Sequence, residues 1–341
     1  MRKKIAILGA GSWGTALATV LVENGHHVTL WARRDELSQE INRRHTNEKY
    51  LPGVRLPEKL QATSSLSQAL FGKEVVLFVV PSHSMRSVAR KAKKWIDHEA
   101  LVVHATKGFE EVTAKRMSEV LKEELPGPLK KRIAVLSGPS HAEEVVRRCP
   151  TTVVIASESQ EVAEQCQTFF MNRYFRVYTN SDVIGVEIGG ALKNIIALAA
   201  GLSDGLGIGD NAKAALLTRG LAEMARLGTV MGAKPLTFVG LAGVGDLIVT
   251  CTSKHSRNWR AGYMIGQGKK LEEVLAEMKM VVEGVKTTIM AYSLTMSYQV
   301  EMPITEQLYD VLMNNKSPHQ AVEDLMRRGR TSEWEEIIRS W

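Results

Sequence analysis

Cysteine is scarce in this 341-residue chain: Cys149, Cys166 and Cys251 stand far apart, with no C-x-x-C pair among them. That spacing excludes a disulfide framework and a cysteine zinc site, and it fits a reducing, cytoplasmic compartment. Each cysteine reads as a small buried hydrophobe. Aromatic residues make up only 6% of the chain and are not interleaved with its basic runs. Those runs (Arg2-Lys3-Lys4, Lys91-Lys93-Lys94, Lys130-Lys131-Arg132) are short and read as solvated helix faces and loop ends. A nucleic-acid partner is therefore not expected, because a single-strand groove needs a basic stripe with stacking rings. A clean apolar run is also missing. Region 183–209 is interrupted by Glu187, Lys193 and Asp204, with Asp210 just beyond, and falls short of the ~20 residues of a membrane span. Repeats and low-complexity tracts are absent. The N-terminus, with Arg2-Lys3-Lys4, an apolar stretch and Ala16-Leu17-Ala18, imitates a secretory leader. The same residues read as a strand and a phosphate loop that cleavage would remove, so no leader is expected.

The material present is that of an ordinary globular chain: 44% hydrophobic and 24% charged residues, with a net charge of +7 that suits anionic small molecules. Its length predicts two domains. In the first half, apolar runs alternate with helical spacing. Strands are predicted at 4–8, 28–31, 75–80, 101–104, 133–136, 152–156 and 175–178, with helices at 12–24, 35–44, 84–96, 113–124, 140–148 and 160–171. Segment 45–65, with Pro52, Gly53 and Pro57, reads as a loop. This alternation predicts an α/β fold, a Rossmann-like, mainly parallel, doubly wound sheet over 1–180. From Asp182 onward no comparable strand run occurs. Helical patterns at 183–200, 212–231, 271–279, 285–297, 304–314 and 318–328 predict an all-helical domain over 181–341. The tail TSEWEEIIRSW reads as a terminal helix or a frayed end.

Gly9-Ala10-Gly11-Ser12-Trp13-Gly14 is a G-x-G-x-x-G loop between a strand and a helix. In that context the glycines permit a tight turn and close approach to a pyrophosphate, and the helix N-terminus offers unpaired N–H groups. The carboxylate that often reads the adenosine ribose about 20 residues later is missing; Arg33 and Arg34 stand there instead. An arginine pair can bind a 2′-phosphate, which suggests that NADP is accepted without excluding NAD; otherwise it is a surface pair.

Three further loops follow strands, where an open parallel sheet binds its ligands: Pro81-Ser82-His83-Ser84, Ala105-Thr106-Lys107-Gly108 and Ser137-Gly138-Pro139-Ser140-His141-Ala142. Lys107 is a candidate to meet substrate. His83 and His141 are equally loop hydrogen-bonders or catalysts. In DVIGVEIGGALKN, Gly189 and Gly190 share a helix face with Lys193. They leave space there either for a ligand or for close helix packing. Asp246 follows a glycine-rich approach. Ser256-Arg257-Asn258 reads as a phosphate site or as a polar helix start.

Taken together, GAGSWGTALA, VPSH, TKG, SGPSHAEEV, EIGGALKN, GLAGVGDL, SRN and VVEG closely resemble the bacterial NAD(P)-dependent glycerol-3-phosphate dehydrogenases over residues 4–328. The resemblance implies reduction of dihydroxyacetone phosphate to sn-glycerol 3-phosphate, the backbone of phospholipids, with NADP or NAD and without a metal. It implies Lys193 as proton donor and acceptor, assisted by Lys107 and Asp246. Lys107, Gly138, Ser140, Lys193, Asp246, Ser256, Arg257 and Asn258 are its implied substrate contacts. Its implied cofactor contacts are Gly9, Gly11, Ser12, Trp13, Gly14, Arg33, Arg34, Tyr50, Lys107, Ala142, Arg257, Val281 and Glu283. A homodimer through the helical half is compatible with this reading. The alternatives are another two-domain hydroxy-acid or ketoacid reductase and a catalytically silent NADP-binding sensor.

Overall fold

Strand residues 5–8 have no solvent exposure at all, and their side chains divide between two cores. Ile5 and Ile7 pack with Leu17 and Leu21, whereas Ala6 and Leu8 pack with Met85 and Ala89. The two-residue period of a strand puts alternate side chains on opposite faces, so this strand must be covered on both. A computed structural model describes residues 2–278, 281–330 and 332–333. It divides into two compact units, Met1–Glu110 with Lys115–Val183, and Glu111–Ala114 with Ile184–Trp341.

The first unit is the expected Rossmann-like doubly wound sheet. Its strands are β1 (Lys4–Leu8), β2 (His27–Trp31), β3 (Gln61–Thr63), β4 (Val75–Phe78), β5 (Leu101–His104), β6 (Ile133–Ser137), β7 (Thr151–Ser157) and β8 (Phe175–Asn180). They lie in the order β3-β2-β1-β4-β5-β6-β7-β8. Its helices are α1 (Ser12–Glu23), α2 (Asp35–Arg44), α3 (Leu66–Leu70), α4 (Met85–Ala92), α5 (Met117–Glu124), α6 (Gly127–Lys130), α7 (Ala142–Val145) and α8 (Gln160–Phe170).

Several local expectations are corrected. Strand β3 lies inside the segment read as loop. It is a three-residue edge strand, held by Asn42, which donates to Ala62 O and accepts from Ala62 N, both at 2.8 Å. Strand β7 runs antiparallel to β6. The segment joining them holds only the single turn α7 instead of a helix over 140–148, too little for a parallel crossover. Helix α2 starts at Asp35 as its pattern implies, with Arg34 in the N-cap position.

The second unit contains α9 (Val183–Leu206), α10 (Asp210–Val230), α11 (Asp246–Thr252), α12 (Arg257–Gly266), α13 (Leu271–Met278), α14 (Glu283–Tyr298), α15 (Pro303–Met313) and α16 (Pro318–Met326). The expectation for the C-terminal tail falls outside the described residues, apart from Ser332 and Glu333. Helix α9 is longer than its pattern suggested. With a mean hydropathy of 1.6 over its most apolar window, it is long and apolar enough by length and composition to cross a membrane. That window is 94% buried within the fold, as in a core helix.

Glycine lets α9 meet α12 backbone to backbone. A Cβ on Gly201 would lie 1.9 Å from Trp259 O, and one on Gly205 2.4 Å from Tyr263 O. From the other side, a Cβ on Gly262 would lie 1.9 Å from Leu198 O, and one on Gly266 2.4 Å from Leu202 O. Both pairs are four residues apart, so each forms a stripe along one face of its helix. Trp259 Nε1 adds a bond to Asp204 at 2.6 Å, and Lys213 binds the same carboxylate oxygen at 2.6 Å.

Candidate active site

The phosphate loop begins where β1 ends. Gly9 has φ +123°, and a Cβ there would lie 2.4 Å from Val79 O. A Cβ on Gly14 would lie 1.9 Å from Gly9 O. These two glycines therefore shape the turn and seat α1 against it. Gly11 is different: a Cβ there would meet nothing within 4 Å. Its open side is the one a ligand can approach. Ser12 and Trp13 follow as the first residues of α1, and Trp13 Nε1 is enclosed without a hydrogen-bond partner. Asn47, which the sequence reading missed inside its loop, braces the turn. It is fully buried and donates to Ala10 O at 3.1 Å and Thr15 Oγ1 at 2.9 Å. Tyr50 packs beside the same core, with Lys49 Nζ 5.4 Å from its ring centre.

Arg33 and Arg34 stand exposed just beyond β2. The nearest carboxylate in sequence, Asp35, is occupied. It accepts from Gln39 at 2.6 Å, Ser64 at 3.0 Å and Ser38 at 3.1 Å, and these bonds hold its carboxyl below the usual carboxylate range. An open glycine face, an unpartnered indole N–H, a helix N-terminus and two exposed guanidinium groups together fit a dinucleotide with a phosphate-bearing ribose.

The loops after β4, β5 and β6 share the sheet edge of the phosphate loop, since these strands are parallel to β1. Thr106 donates to Val80 O at 2.7 Å and ties two of the loops together. Lys107 is half-buried. Beyond it, Arg86 grips Glu110 with two bonds, at 2.6 and 2.7 Å, and fixes the end of that loop. Gly138 has φ +121°, and a Cβ there would lie 3.1 Å from Val153 Cα. Ser140 folds back onto Gly138 O at 2.9 Å, and Ala142 is buried at the start of α7. His83 is exposed in a short 3₁₀ turn, and His141 precedes α7.

In the helical unit, Lys193 of α9 meets Asp246 and Thr250 of α11. Lys193 Nζ donates to Asp246 Oδ1 and, at 2.8 Å, to Thr250 Oγ1. The two charged side chains are only 8% and 1% exposed, so each needs the other to tolerate burial. Thr250 was missed in the sequence, although its spacing of four from Asp246 places both on one helix face. An irregular π-type turn, Leu241–Gly245, delivers Asp246 into the first turn of α11. Gly189 proves to be a packing residue: a Cβ there would lie 2.4 Å from Ala242 O. Cys251, next to Thr250, is no nucleophile, because burial pushes its thiol up to about 12.

The triplet Ser256-Arg257-Asn258 is a polar helix start. Ser256 caps α12 by accepting from Trp259 N at 3.2 Å. Asn258 donates to Asn194 Oδ1 at 2.9 Å and accepts from Gly284 N at 2.8 Å. This amide pair links the residue after Lys193 to the residue after Arg257, another connection not visible in the sequence. Arg257 is partly exposed and 3.8 Å from Glu283, too far for a hydrogen bond. Its guanidinium keeps donors for an anion. Val281 is half-buried two residues before Glu283. Lys107, Gly138 and Ser140 thus belong to the sheet unit, while Lys193, Asp246, Ser256, Arg257 and Asn258 belong to the helical one.

Comparison with known proteins covers the whole of this arrangement. The model for the NAD-dependent glycerol-3-phosphate dehydrogenase N-terminus matches residues 4–163, and that for the C-terminus matches residues 182–323. The chain is 60% identical over 336 residues to a glycerol-3-phosphate dehydrogenase (NAD(P)+) of Geobacillus kaustophilus, covering 98% of this chain and 97% of that one. It is 58% identical over 339 residues to the Bacillus velezensis protein of the same name, covering 99% and 98%. The crystal structure of glycerol-3-phosphate dehydrogenase from Coxiella burnetii superposes with a TM-score of 0.91 at 41% identity, covering 96% of this chain and 99% of that one.

Proposed function

The chain belongs to the NAD-dependent glycerol-3-phosphate dehydrogenase family, and on that premise we propose which of its residues carry the reaction. It is an NAD(P)-dependent oxidoreductase that interconverts dihydroxyacetone phosphate and sn-glycerol 3-phosphate. When bound, the nicotinamide supplies the hydride for the carbonyl carbon.

Lys193 does the proton chemistry. As hydride arrives, negative charge grows on the carbonyl oxygen; the Lys193 ammonium stabilises it and delivers a proton. In the reverse direction neutral Lys193 takes the proton of the alcohol. Asp246 and Thr250 fix Nζ in place, and that buried contact is the observation that carries this reading. Arg257 takes the substrate phosphate, assisted by Ser256 and Asn258 from the N-terminus of α12, and Lys107, Gly138 and Ser140 complete substrate binding. Holding the phosphate away from the reacting carbon turns its binding energy into orientation. Gly9, Gly11, Ser12, Trp13, Gly14, Tyr50, Ala142, Val281 and Glu283 serve the dinucleotide, with Arg33 and Arg34 on its 2′-phosphate. A cytoplasmic location fits the three free cysteines. A homodimer through the helical unit completes the proposal. Family models over both halves of the chain favour this reading over a silent sensor or a ketoacid reductase.

The test is to mix purified protein with dihydroxyacetone phosphate and follow nicotinamide absorbance with NADPH and NADH separately. Oxidation that needs the phosphate, with little response to unphosphorylated dihydroxyacetone, is expected. Arg33→Asp should raise KM for NADPH by roughly tenfold or more and leave NADH nearly unchanged, as loss of a charge-assisted contact requires. Equal losses for both cofactors would remove Arg33 from 2′-phosphate recognition. Cofactor binding without turnover on any carbonyl substrate would favour the sensor.

A further inference from the structure

Three chain segments enter β4, β5 and β6 side by side. Leu101 N donates to Glu74 O at 2.9 Å, and Val102 N donates to Arg132 O at 3.0 Å. Residues 71–74, 93–101 and 129–132 therefore line one edge of the sheet, opposite the edge that carries the phosphate loop. Parts of two basic runs that are unremarkable in sequence lie at this edge. Lys94, Lys130 and Lys131 are exposed there, and Lys91 is exposed in the last turn of α4 just before it. Two large aromatic side chains stand among them: Phe71 is 85% exposed and Trp95 45%, with Lys94 Nζ 5.7 Å from the Trp95 ring centre.

Three acids of this edge are paired with cations, whereas Asp97 keeps its charge among the more numerous lysines. Glu74 binds Lys3 at 2.8 Å, Glu99 faces Arg132 at 3.4 Å, and Glu124 binds Arg90 at 2.7 Å. Asp97 accepts from Glu99 N at 2.9 Å. The edge is thus a cationic rim bearing exposed aromatic rings. Lysines attract anionic headgroups, and Trp and Phe favour the boundary between headgroups and acyl chains. A single-stranded nucleic acid needs a groove with successive stacking rings, whereas these two rings sit on separate turns.

We propose that this edge docks the protein reversibly on an anionic lipid surface. The docking edge lies away from the phosphate loop, so attachment leaves that loop open. The test is sedimentation of the full-length protein with vesicles of phosphatidylcholine alone, or with one-third phosphatidylglycerol. Binding is expected only to the anionic vesicles and should weaken at about 0.5 M salt, where the Debye length is roughly 4 Å. Combined Lys91→Glu, Lys94→Glu, Lys130→Glu and Lys131→Glu should lower partitioning about a hundredfold or more. The same number of reversals elsewhere (Arg44→Glu, Arg147→Glu, Lys270→Glu, Arg327→Glu) should lower it less than about tenfold. Phe71→Ser with Trp95→Ser should weaken binding and leave its salt dependence intact, so the aromatic pair tests the proposal even if the quadruple variant fails to fold. Unchanged dihydroxyacetone phosphate reduction certifies each variant. Absence of wild-type binding to anionic vesicles, or equal losses from both quadruple variants, would overturn the proposal. So would preferential binding of single-stranded polynucleotide that the edge reversals abolish.

Discussion

Glycine does opposite work in the two units. In the sheet unit, Gly9 and Gly138 stand at strand ends with φ +123° and +121°, a conformation that side chains resist. In the helical unit, Gly189, Gly201, Gly205 and Gly262 lie in or against regular helix and have no positive φ. They are required by what lies beside them, since a Cβ on any of the four would fall within 2.4 Å of a carbonyl oxygen. The sheet unit thus shapes its loops by bending the chain after a strand. The helical unit closes by removing side chains until two helices touch. Gly9 combines both demands, since a Cβ there would also lie 2.4 Å from Val79 O.

That contrast can be broken in graded steps. Lys193→Ala should have the largest effect, a loss of turnover of about 10⁴-fold or more, because one group supplies both the proton and the charge stabilisation. Cofactor binding, followed by fluorescence titration, should survive; retained turnover would take Lys193 out of the mechanism. Next is Gly262→Val, which drives a branched side chain into Leu198 O. A loss of more than about 3 kcal/mol in denaturant unfolding is expected, since the obstacle is backbone and cannot swing aside. A small loss would show that α9 and α12 can slide apart. Gly11→Ala sharpens the other side: with open space around that position, stability should change by less than about 1 kcal/mol, while dinucleotide affinity drops at least roughly tenfold. A parallel loss of stability would mean that Gly11 serves the turn.

A pH-dependent effect concerns Glu223 of α10, which is buried and accepts from Ile304 N at 2.6 Å and Thr305 N at 3.2 Å at the start of α15. Burial outweighs these bonds and pushes its carboxyl up to about 7. The folded state therefore keeps a proton that the unfolded chain releases near its ordinary value of 4.5. Stability from this group should be present below that value and fall as pH rises toward 7, by at most about 1.4 kcal/mol per pH unit. Urea unfolding of wild type and Glu223→Gln across this window should converge on one pH profile if the argument is wrong.

Much of this was legible in the residues. Short apolar runs separated by helical spacing gave the sheet unit, and a strand before G-x-G-x-x-G with a helix after it located the phosphate loop. Lys193 stood out beside Gly189 and Gly190, and Asp246 behind a glycine-rich approach, but only the resemblance joined their roles. Strand β3 was hidden because three residues carry no period. The reversal at β7 was hidden because direction leaves no mark on composition. The reading of Gly189 remained divided because a missing side chain looks the same whether a ligand or a carbonyl fills the gap. Asn194 with Asn258, and the lysines at the lower edge of the sheet, became partners only through contacts distant in sequence.

The contact between α9 and α12 also has a consequence for hydrogen exchange. With backbone pressed on backbone, there is no layer of side chains to loosen before the helices themselves part. Amides of α9 facing that seam, around Leu198 and Leu202, are therefore shielded until the helical unit opens as a whole. Their slowest exchange rate is then a direct reading of that unit's free energy of unfolding.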